Sequence, residues 1–344
     1  MSFASRHRLP LHRRLRSALH GMRLPTRLLL LIGTCLLPLV VLQLGSTWAQ
    51  WSDRKARLGS LATQQAHLLA GNVETIAEGA RILLGAAAEF RQVRIRGEGC
   101  SNRLIRLREH AQGFAFIALV EPDGSMRCAS EAALLRADPA EPWLRAAQDA
   151  QGFSAGRFAR SASLPGPFLP FYGTVGALDG EPGTLVAGLD LAWLGEHLQR
   201  IKHEGLPFMQ GGVLTVADAD GVVLGRDVRH AEFVGQRFPP AALPMLTATE
   251  AGMLRLRSMD GTDRLVGYTP PTPANLYLAT AVGFNEAEML GDPQRALVRG
   301  AALLLAVALL ATLLTLLVAR RFITAPTQAL LAAARRWREG DLGV

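Results

Sequence analysis

The stretch VLTVADADGVVLGRD, residues 213–227, decides the fold. An apolar, β-branched run enters the turn Asp218-Ala219-Asp220-Gly221, and a second apolar run leaves it. This pattern predicts a β-hairpin, because Asp-Gly supplies the backbone conformations that a tight turn needs. FIALVEPDGSMRCAS, residues 116–130, repeats the pattern around Pro122-Asp123-Gly124-Ser125.

Each of these hairpins is followed by a polar stretch and then by another hairpin. The first later hairpin joins residues 171–178 to 184–191 through Asp179-Gly180. The second joins residues 253–259 to 264–268 through Asp260-Gly261, and residues 276–282 follow as a further apolar run. The sequence therefore predicts a weak internal repeat and an α+β fold with two tandem antiparallel sheets.

A long helix is predicted upstream of the hairpins, over residues 53–92. Its apolar residues step by four and three, at Leu69, Val73, Ile76, Ala80, Leu83, Ala87 and Phe90. This near-heptad series has two interpretations, a face packed on its own domain or the seam of a homodimer.

Two uncharged apolar runs flank this region, at residues 28–44 and 300–319. Each is long enough to cross a hydrocarbon core of about 30 Å as a helix. Trp48 and Trp51 follow the first run, at the depth where amphipathic rings are favoured. We predict transmembrane helices at 28–48 and 299–319; the length of the first run disfavours a cleaved signal peptide.

The net charge of +8 is concentrated at the two ends of the chain. Residues 1–27 hold seven arginines and no acid, residues 320–344 hold five arginines, and the rest has 25 basic and 27 acidic residues. The positive-inside rule then places both termini in the cytoplasm and residues 49–298 on the other side of the membrane. A nucleic-acid partner is not expected, since no basic stripe with interleaved aromatics is present.

Two of the three cysteines, Cys100 and Cys128, lie in the predicted external region, where disulfides persist. They form either a structural bridge, worth roughly 3–4 kcal/mol by loop entropy, or two free buried thiols. Cys35 lies inside the first predicted span.

The sequence contains no H-E-x-x-H and no Walker loop. It has one G-x-S-x-G match, at residues 152–156, which does not follow the apolar strand-like run that a nucleophile elbow requires. His197, His203 and His230 are scattered without ligand spacing. We therefore expect no catalytic residue, no metal site and no cofactor in this chain.

The order of these segments resembles a double Cache domain, the tandem PAS-like sensor module of bacterial receptors. EPWLRAAQDAQGFSAGRF, residues 141–158, resembles the Trp-containing helix of the first half, and GTLVAGLDLAWLGEHL, residues 183–198, its closing strand and exit helix. The resemblance implies a membrane-distal half at about 93–200 and a membrane-proximal half at about 205–290. A cysteine pair placed like Cys100 and Cys128 recurs in one kinase and cyclase subgroup.

The last residues, FITAPTQALLAAARRWREGDLGV at 322–344, resemble the first helix of a HAMP relay. Pro326 fits the early proline, and Gly340 and Asp341 fit the end of that helix. The resemblance implies that residues 320–344 begin a HAMP unit that is truncated here. The output would then be a histidine kinase or a diguanylate cyclase outside this chain.

The resemblance also implies a ligand pocket in the membrane-distal half, with Trp143, Arg157, Tyr172 and Asp190 as candidate binding residues. Amino-acid sensors of the family carry Arg-x-Trp-Tyr where this chain has Glu141-Pro142-Trp143-Leu144, so the usual carboxylate clamp is missing. Trp143 with Asp190 favours an amine or another cation.

Together with the resemblance, these features predict a homodimeric receptor in the bacterial inner membrane, with a small-molecule ligand in the periplasm and a signalling relay in the cytoplasm. The alternative is a structural or adhesive surface module anchored in the membrane without signalling output.

Overall fold

The computed structural model describes residues 24–97, 99–176, 182–204 and 211–338. Its contacts divide the chain into two units: Lys55–Leu290 forms one, and the segments before and after it form the other. Residues 1–23 of the predicted basic tail, the turn Asp179-Gly180, and Gly340 and Asp341 of the predicted relay lie outside the described residues.

The helices and their bounds are α1 Leu24–Glu89, α2 Arg91–Arg94, α3 Cys100–Glu109, α4 Pro142–Asp149, α5 Leu191–Glu204, α6 His230–Phe233, α7 Pro244–Thr247, α8 Glu286–Val318 and α9 Ala325–Arg338. A π-helical turn, Ala319–Thr324, joins α8 to α9. Pro326 is the second residue of α9.

One stretch of the described chain, Val298–Arg335, is long and apolar enough to cross a membrane, and an 18-residue window within it has a mean hydropathy of 2.8. It contains the predicted second span at 299–319. The predicted first span, 28–48, lies within α1. This helix continues to Glu89 and so covers all but the last three residues of the helix predicted at 53–92.

The first sheet contains the strands β1 Phe114–Val120, β2 Met126–Ala129, β3 Ser154–Ala155, β4 Phe168–Val175 and β5 Gly183–Asp190. It is antiparallel, in the order β2-β1-β5-β4-β3. The second sheet contains β6 Gly212–Ala217, β7 Val223–Arg226, β8 Gly252–Arg257, β9 Asp263–Thr269 and β10 Ala279–Asn285. Its order, β7-β6-β10-β9-β8, is the same arrangement repeated, which confirms the predicted tandem α+β fold.

Helix α1 packs its apolar face against both sheets. Most of the predicted four-three series is buried in the main core, with Leu69 and Ala80 fully so. Gly267 of β9 permits the closest approach, since a Cβ there would lie 2.1 Å from the backbone of Ala62. Thr280 of β10 also donates a hydrogen bond to the carbonyl of Ala66. Of the two interpretations, this series therefore serves the domain's own core.

Cys100, at the start of α3, and Cys128, in β2, are joined by a disulfide with a Cα–Cα distance of 5.9 Å. Both residues are buried in the main core. The bridge fastens α3 to the edge strand of the first sheet, which confirms the structural-bridge interpretation.

Candidate functional site

A cavity of about 500 Å³ opens on the face of the first sheet that α1 does not cover. It lies between α4, the strand β4 and the segment 154–160 that follows α4. Trp143, Arg157 and Tyr172, three of the four predicted binding residues, line it together. Such a volume suits a small organic ligand.

Trp143 forms the floor of this cavity. Its side chain is only 3% exposed, because Phe116 and Phe168 pack on it with ring centroids 5.6 and 5.4 Å away. The ring of Phe168 meets the indole edge-on, an arrangement that aromatic pairs prefer. The indole is thus held in one orientation before any ligand arrives.

Glu141, the residue before α4, fixes the polar edge of the same indole. Its carboxylate accepts a hydrogen bond from Nε1–H of Trp143 and another from the hydroxyl of Ser161. Sequence reasoning noted Glu141 only as a departure from the amino-acid-sensing pattern. The local signal was Glu-Pro before the tryptophan, since Pro142 starts the helix and leaves Glu141 as its N-terminal flank.

Tyr172 of β4 lies beside Trp143. Its hydroxyl donates a hydrogen bond of 3.0 Å to the carbonyl oxygen of Trp143, so α4 and the sheet are tied together at the cavity. Burial raises the pKa of the Tyr172 hydroxyl well above its ordinary value, which keeps it a neutral donor at all physiological pH.

Arg157 lies at the rim, with 54% of its side chain exposed. Its Nε is 3.4 Å from Oδ2 of Asp220, a residue of the turn between β6 and β7 in the second sheet. An exposed pair of this kind contributes little stability. The guanidinium is consequently available to a ligand without a large cost.

Asp190 is not among the residues that line this cavity. Its carboxylate accepts the backbone N–H of Ala192 at 2.8 Å, in the first turn of α5. Phe168, its partner in the β4–β5 ladder, packs on Trp143. The cavity thus unites Trp143, Arg157 and Tyr172 but not Asp190, and the amine hypothesis built on Trp143 with Asp190 stays a prediction.

Tyr277, from the loop before β10, also lines the cavity and was not predicted from the sequence. Tyr277 and Leu276 both have positive φ, at 62° and 56°, which is strained for residues with a side chain. A capping box holds the loop: Thr272 and Asn275 bond each other's backbone, and the N–H of Tyr277 donates to the Thr272 carbonyl. A loop of the second half, with its backbone held in this way, therefore contributes an aromatic residue to the cavity over the first sheet.

The segment that carries Arg157 is bonded to the second sheet. The N–H of Phe158 donates to Oδ2 of Asp218 at 3.0 Å. Asp218 is 1% exposed, and its other oxygen accepts the N–H groups of Asp220 and Val222 in its own turn. One buried carboxylate thus joins the cavity rim to the β6–β7 turn.

The chemistry of this arrangement is recognition. Among the described residues, no group of three or more His, Cys, Asp or Glu side chains has the placement to hold a metal ion. The cavity offers aromatic walls, backbone groups and the rim charges of Arg157, Arg160 and Asp149. These features can bind and orient a small polar molecule.

The two tandem sheets and their helices match the fold of extracellular and periplasmic ligand-binding domains of bacterial sensory receptors. One such structure is the extracellular domain of rpHK1S-Z16, described as a histidine kinase, with a TM-score of 0.56 and 18% identity over 67% of this chain and 95% of that one. A second is the ligand-binding domain of the amino acid chemoreceptor PctB of Pseudomonas aeruginosa PAO1 in complex with L-Arg, with a TM-score of 0.53 and 18% identity over 67% and 96%.

A third is the periplasmic sensory domain of the Campylobacter jejuni chemoreceptor Tlp1, with a TM-score of 0.51 and 10% identity over 69% of this chain and 98% of that one. No family model matches the sequence, and no curated protein matches it. At these identities the likeness concerns the fold alone.

Proposed function

We propose that this chain is the sensing part of a transmembrane receptor, which binds a small polar molecule in the periplasm through a Cache domain. The observation that carries the proposal is the cavity over the first sheet, with Trp143 and Tyr172 held in place and Arg157 at its rim. The solved domains of the same fold come from histidine kinases and chemoreceptors, which supports a sensory role.

The route of the signal follows covalent and hydrogen-bonded connections. A ligand that contacts Arg157 acts on the segment bonded through Phe158 to Asp218. Asp218 directly follows β6, which pairs with β10, and β10 runs directly into α8 at Glu286. A ligand that prefers one arrangement of this segment shifts the population of the arrangements that α8 adopts.

The relay proposed inside the cell begins after α8. The π-helical turn Ala319–Thr324 carries Arg320 and Arg321, and Pro326 follows at the start of α9. A π-turn beside a proline is a natural joint in a helix, since both interrupt the regular hydrogen-bond ladder. We assign α9 to the first HAMP helix, with a histidine kinase or diguanylate cyclase as the output.

The receptor is proposed to act as a homodimer through α1. The face of α1 turned away from the core exposes Leu61, Leu68 and Ile82, which are seven and fourteen residues apart. Gly71 and Gly85 share this face and have open space around them, so that a second helix can approach closely. The two spans, at 28–48 and within Val298–Arg335, anchor each copy in the inner membrane with both termini in the cytoplasm.

The proposal is tested by thermal unfolding of the full chain in lipid nanodiscs. The probes are the twenty common amino acids and simple primary and quaternary amines, at millimolar concentration. At least one probe raises the unfolding temperature, and Ala146→Trp, which fills the cavity, abolishes the increase. Arg145→Trp is the matched control on the exposed side of the same helix, and it retains the increase. Equal responses of the two variants would contradict the proposal.

A further inference from the structure

A second cavity lies on the second sheet, on the side closed by the segment 233–247. Its volume is about 40 Å³, which is room for about three water-sized spheres. Its lining combines apolar side chains, among them Phe238, Met245 and Leu256, with the polar side chains of Ser258, Arg226 and Arg264. The site therefore suits a very small molecule with one polar end.

Two buried guanidinium groups share a single carboxylate beside this cavity. Nη2 of Arg226 lies 2.8 Å, and Nη2 of Arg264 2.9 Å, from the same oxygen of Asp260. The side chains of Arg226, Arg264 and Asp260 are 3%, 12% and 10% exposed. One carboxylate neutralises one guanidinium, so this trio carries one positive charge in excess.

The neighbouring charges do not remove this excess. Asp227 is buried and accepts a hydrogen bond of 2.7 Å from Lys202. Arg229 is bonded to Glu232. Burial is the main influence on Arg226 and lowers the pKa of its guanidinium, which nonetheless stays protonated near neutral pH. The ring of Phe233, whose centroid is 4.5 Å from Cζ of Arg226, offsets part of the cost of this charge. A buried charge without a paired anion nonetheless costs several kcal/mol.

Two donors of the trio are also unused. The Nε–H groups of Arg226 and Arg264 are buried and have no hydrogen-bond partner among the described residues. The great majority of buried N–H groups in proteins have a hydrogen-bond partner. Gly283 lets the side chain of Arg264 pack closely on β10, since a Cβ there would lie only 3.1 Å from Cδ of Arg264.

We propose that this second cavity binds a short-chain monocarboxylate of the size of acetate or propionate. Its carboxylate accepts hydrogen bonds from the free Nε–H groups of Arg226 and Arg264, because planar guanidinium groups match carboxylate geometry. Its negative charge neutralises the excess positive charge of the trio. The alkyl end lies against Met245 and Phe238. This site is separate from the cavity on the first sheet, so the domain has one ligand site on each sheet.

The test is isothermal titration of the full chain in nanodiscs with sodium acetate and sodium propionate, in a chloride-free buffer. Wild type binds both. Arg226→Met weakens binding at least tenfold, while Asp260 keeps Arg264 as its partner and the fold is retained. Asp260→Asn removes the competing carboxylate and tightens binding several-fold, an outcome that a purely structural role for the trio does not produce.

Arg157→Met, at the cavity of the first sheet, is the control and leaves acetate binding unchanged. If Arg157→Met weakened acetate binding, acetate would not bind at the second cavity. No heat with wild type up to 10 mM, or equal affinity in wild type and Arg226→Met, overturns the inference. Chloride that competes as well as acetate does overturns the assignment to carboxylates. Loss of amino-acid or amine binding at the first cavity leaves these outcomes unaffected.

Discussion

Asp218→Asn is expected to release the cavity rim from the second sheet. The carboxylate of Asp218 accepts three backbone N–H groups, two in its own turn and that of Phe158 across the two sheets. An asparagine keeps Oδ1 for the turn but presents an NH₂ group to the N–H of Phe158. The β6–β7 turn is therefore retained, while the contact with the rim segment is lost.

The magnitude follows from that single bond. A hydrogen bond to a charged group contributes about 1.5–3 kcal/mol. Since about 1.4 kcal/mol corresponds to a factor of ten, opening of the segment 156–160 becomes roughly ten- to hundredfold more frequent. Hydrogen exchange of the Phe158 amide measures this opening directly.

The assay is hydrogen–deuterium exchange of the full chain in nanodiscs, read out by mass spectrometry of peptides that cover 154–162. The control is Asp220→Asn, which removes only the exposed ion pair with Arg157 and changes exchange less than about fivefold. If Asp218→Asn exchanges at the wild-type rate, the rim is not held by this carboxylate. The proposed route from the cavity to β10 would then fail.

Three further outcomes are expected. Glu141→Gln weakens the bonds to Trp143 and Ser161 and lowers the free energy of unfolding by about 1–2 kcal/mol, measured by chemical denaturation. Cys128→Ser opens the bridge to Cys100 and costs about 3–4 kcal/mol in the same measurement. The free energy of unfolding is expected to fall as the pH drops from 7 to 5, in part because of His230. Burial lowers the pKa of its imidazole in the folded protein, and Asp190 and Glu196 oppose this shift. The unfolded chain therefore binds the proton more tightly than the folded chain does.

Each outcome has its own control. A reductant should not destabilise Cys128→Ser further. If the denaturation midpoint of wild type is the same with and without reductant, the stabilisation estimated for the bridge is wrong. His230→Gln should flatten the pH dependence between 7 and 5; a slope equal to that of wild type would exclude His230 as its source. Glu131→Gln, which affects a partly exposed ion pair with Arg108, is the matched control for Glu141→Gln. If it lowers the free energy of unfolding as much as Glu141→Gln does, the contact with the indole has no special role.

Much of the fold was predictable because it is encoded locally. The strands β1, β2, β6 and β7 follow from apolar runs on either side of Asp-Gly turns, where local sequence and sheet geometry agree. The register of α1 on both sheets was not predictable, because it depends on the missing Cβ of Gly267 at a contact 205 positions away from Ala62.

The candidate site was predictable in part. Trp143, Arg157 and Tyr172 were found by resemblance, and they line one cavity. Tyr277 and Asp218 were missed as parts of the site, because each belongs to the other sheet and approaches only in the folded domain. The local sequence does not predict that Tyr277 adopts a left-handed backbone conformation. It also does not predict that Asp218, a turn residue, accepts a hydrogen bond from the distant amide of Phe158.

The same limit applies to the second cavity. Asp260 was assigned from the sequence to a hairpin turn, as Asp-Gly predicts, and the turn is present between β8 and β9. Its carboxylate also holds Arg226, which lies on the opposite edge strand of the sheet. Spacing along the chain does not reveal a pairing across a sheet.

The most direct test of the receptor is cysteine crosslinking between the second spans of two copies. Leu303→Cys and Leu310→Cys, each introduced with Cys35→Ser, report on α8 in nanodiscs. The probe is the amino acid or amine that raises the unfolding temperature most. Binding of the probe is expected to change the ratio of the crosslinking rates at positions 303 and 310. Ala146→Trp is expected to abolish this change. Identical crosslinking patterns with and without the probe would contradict the account.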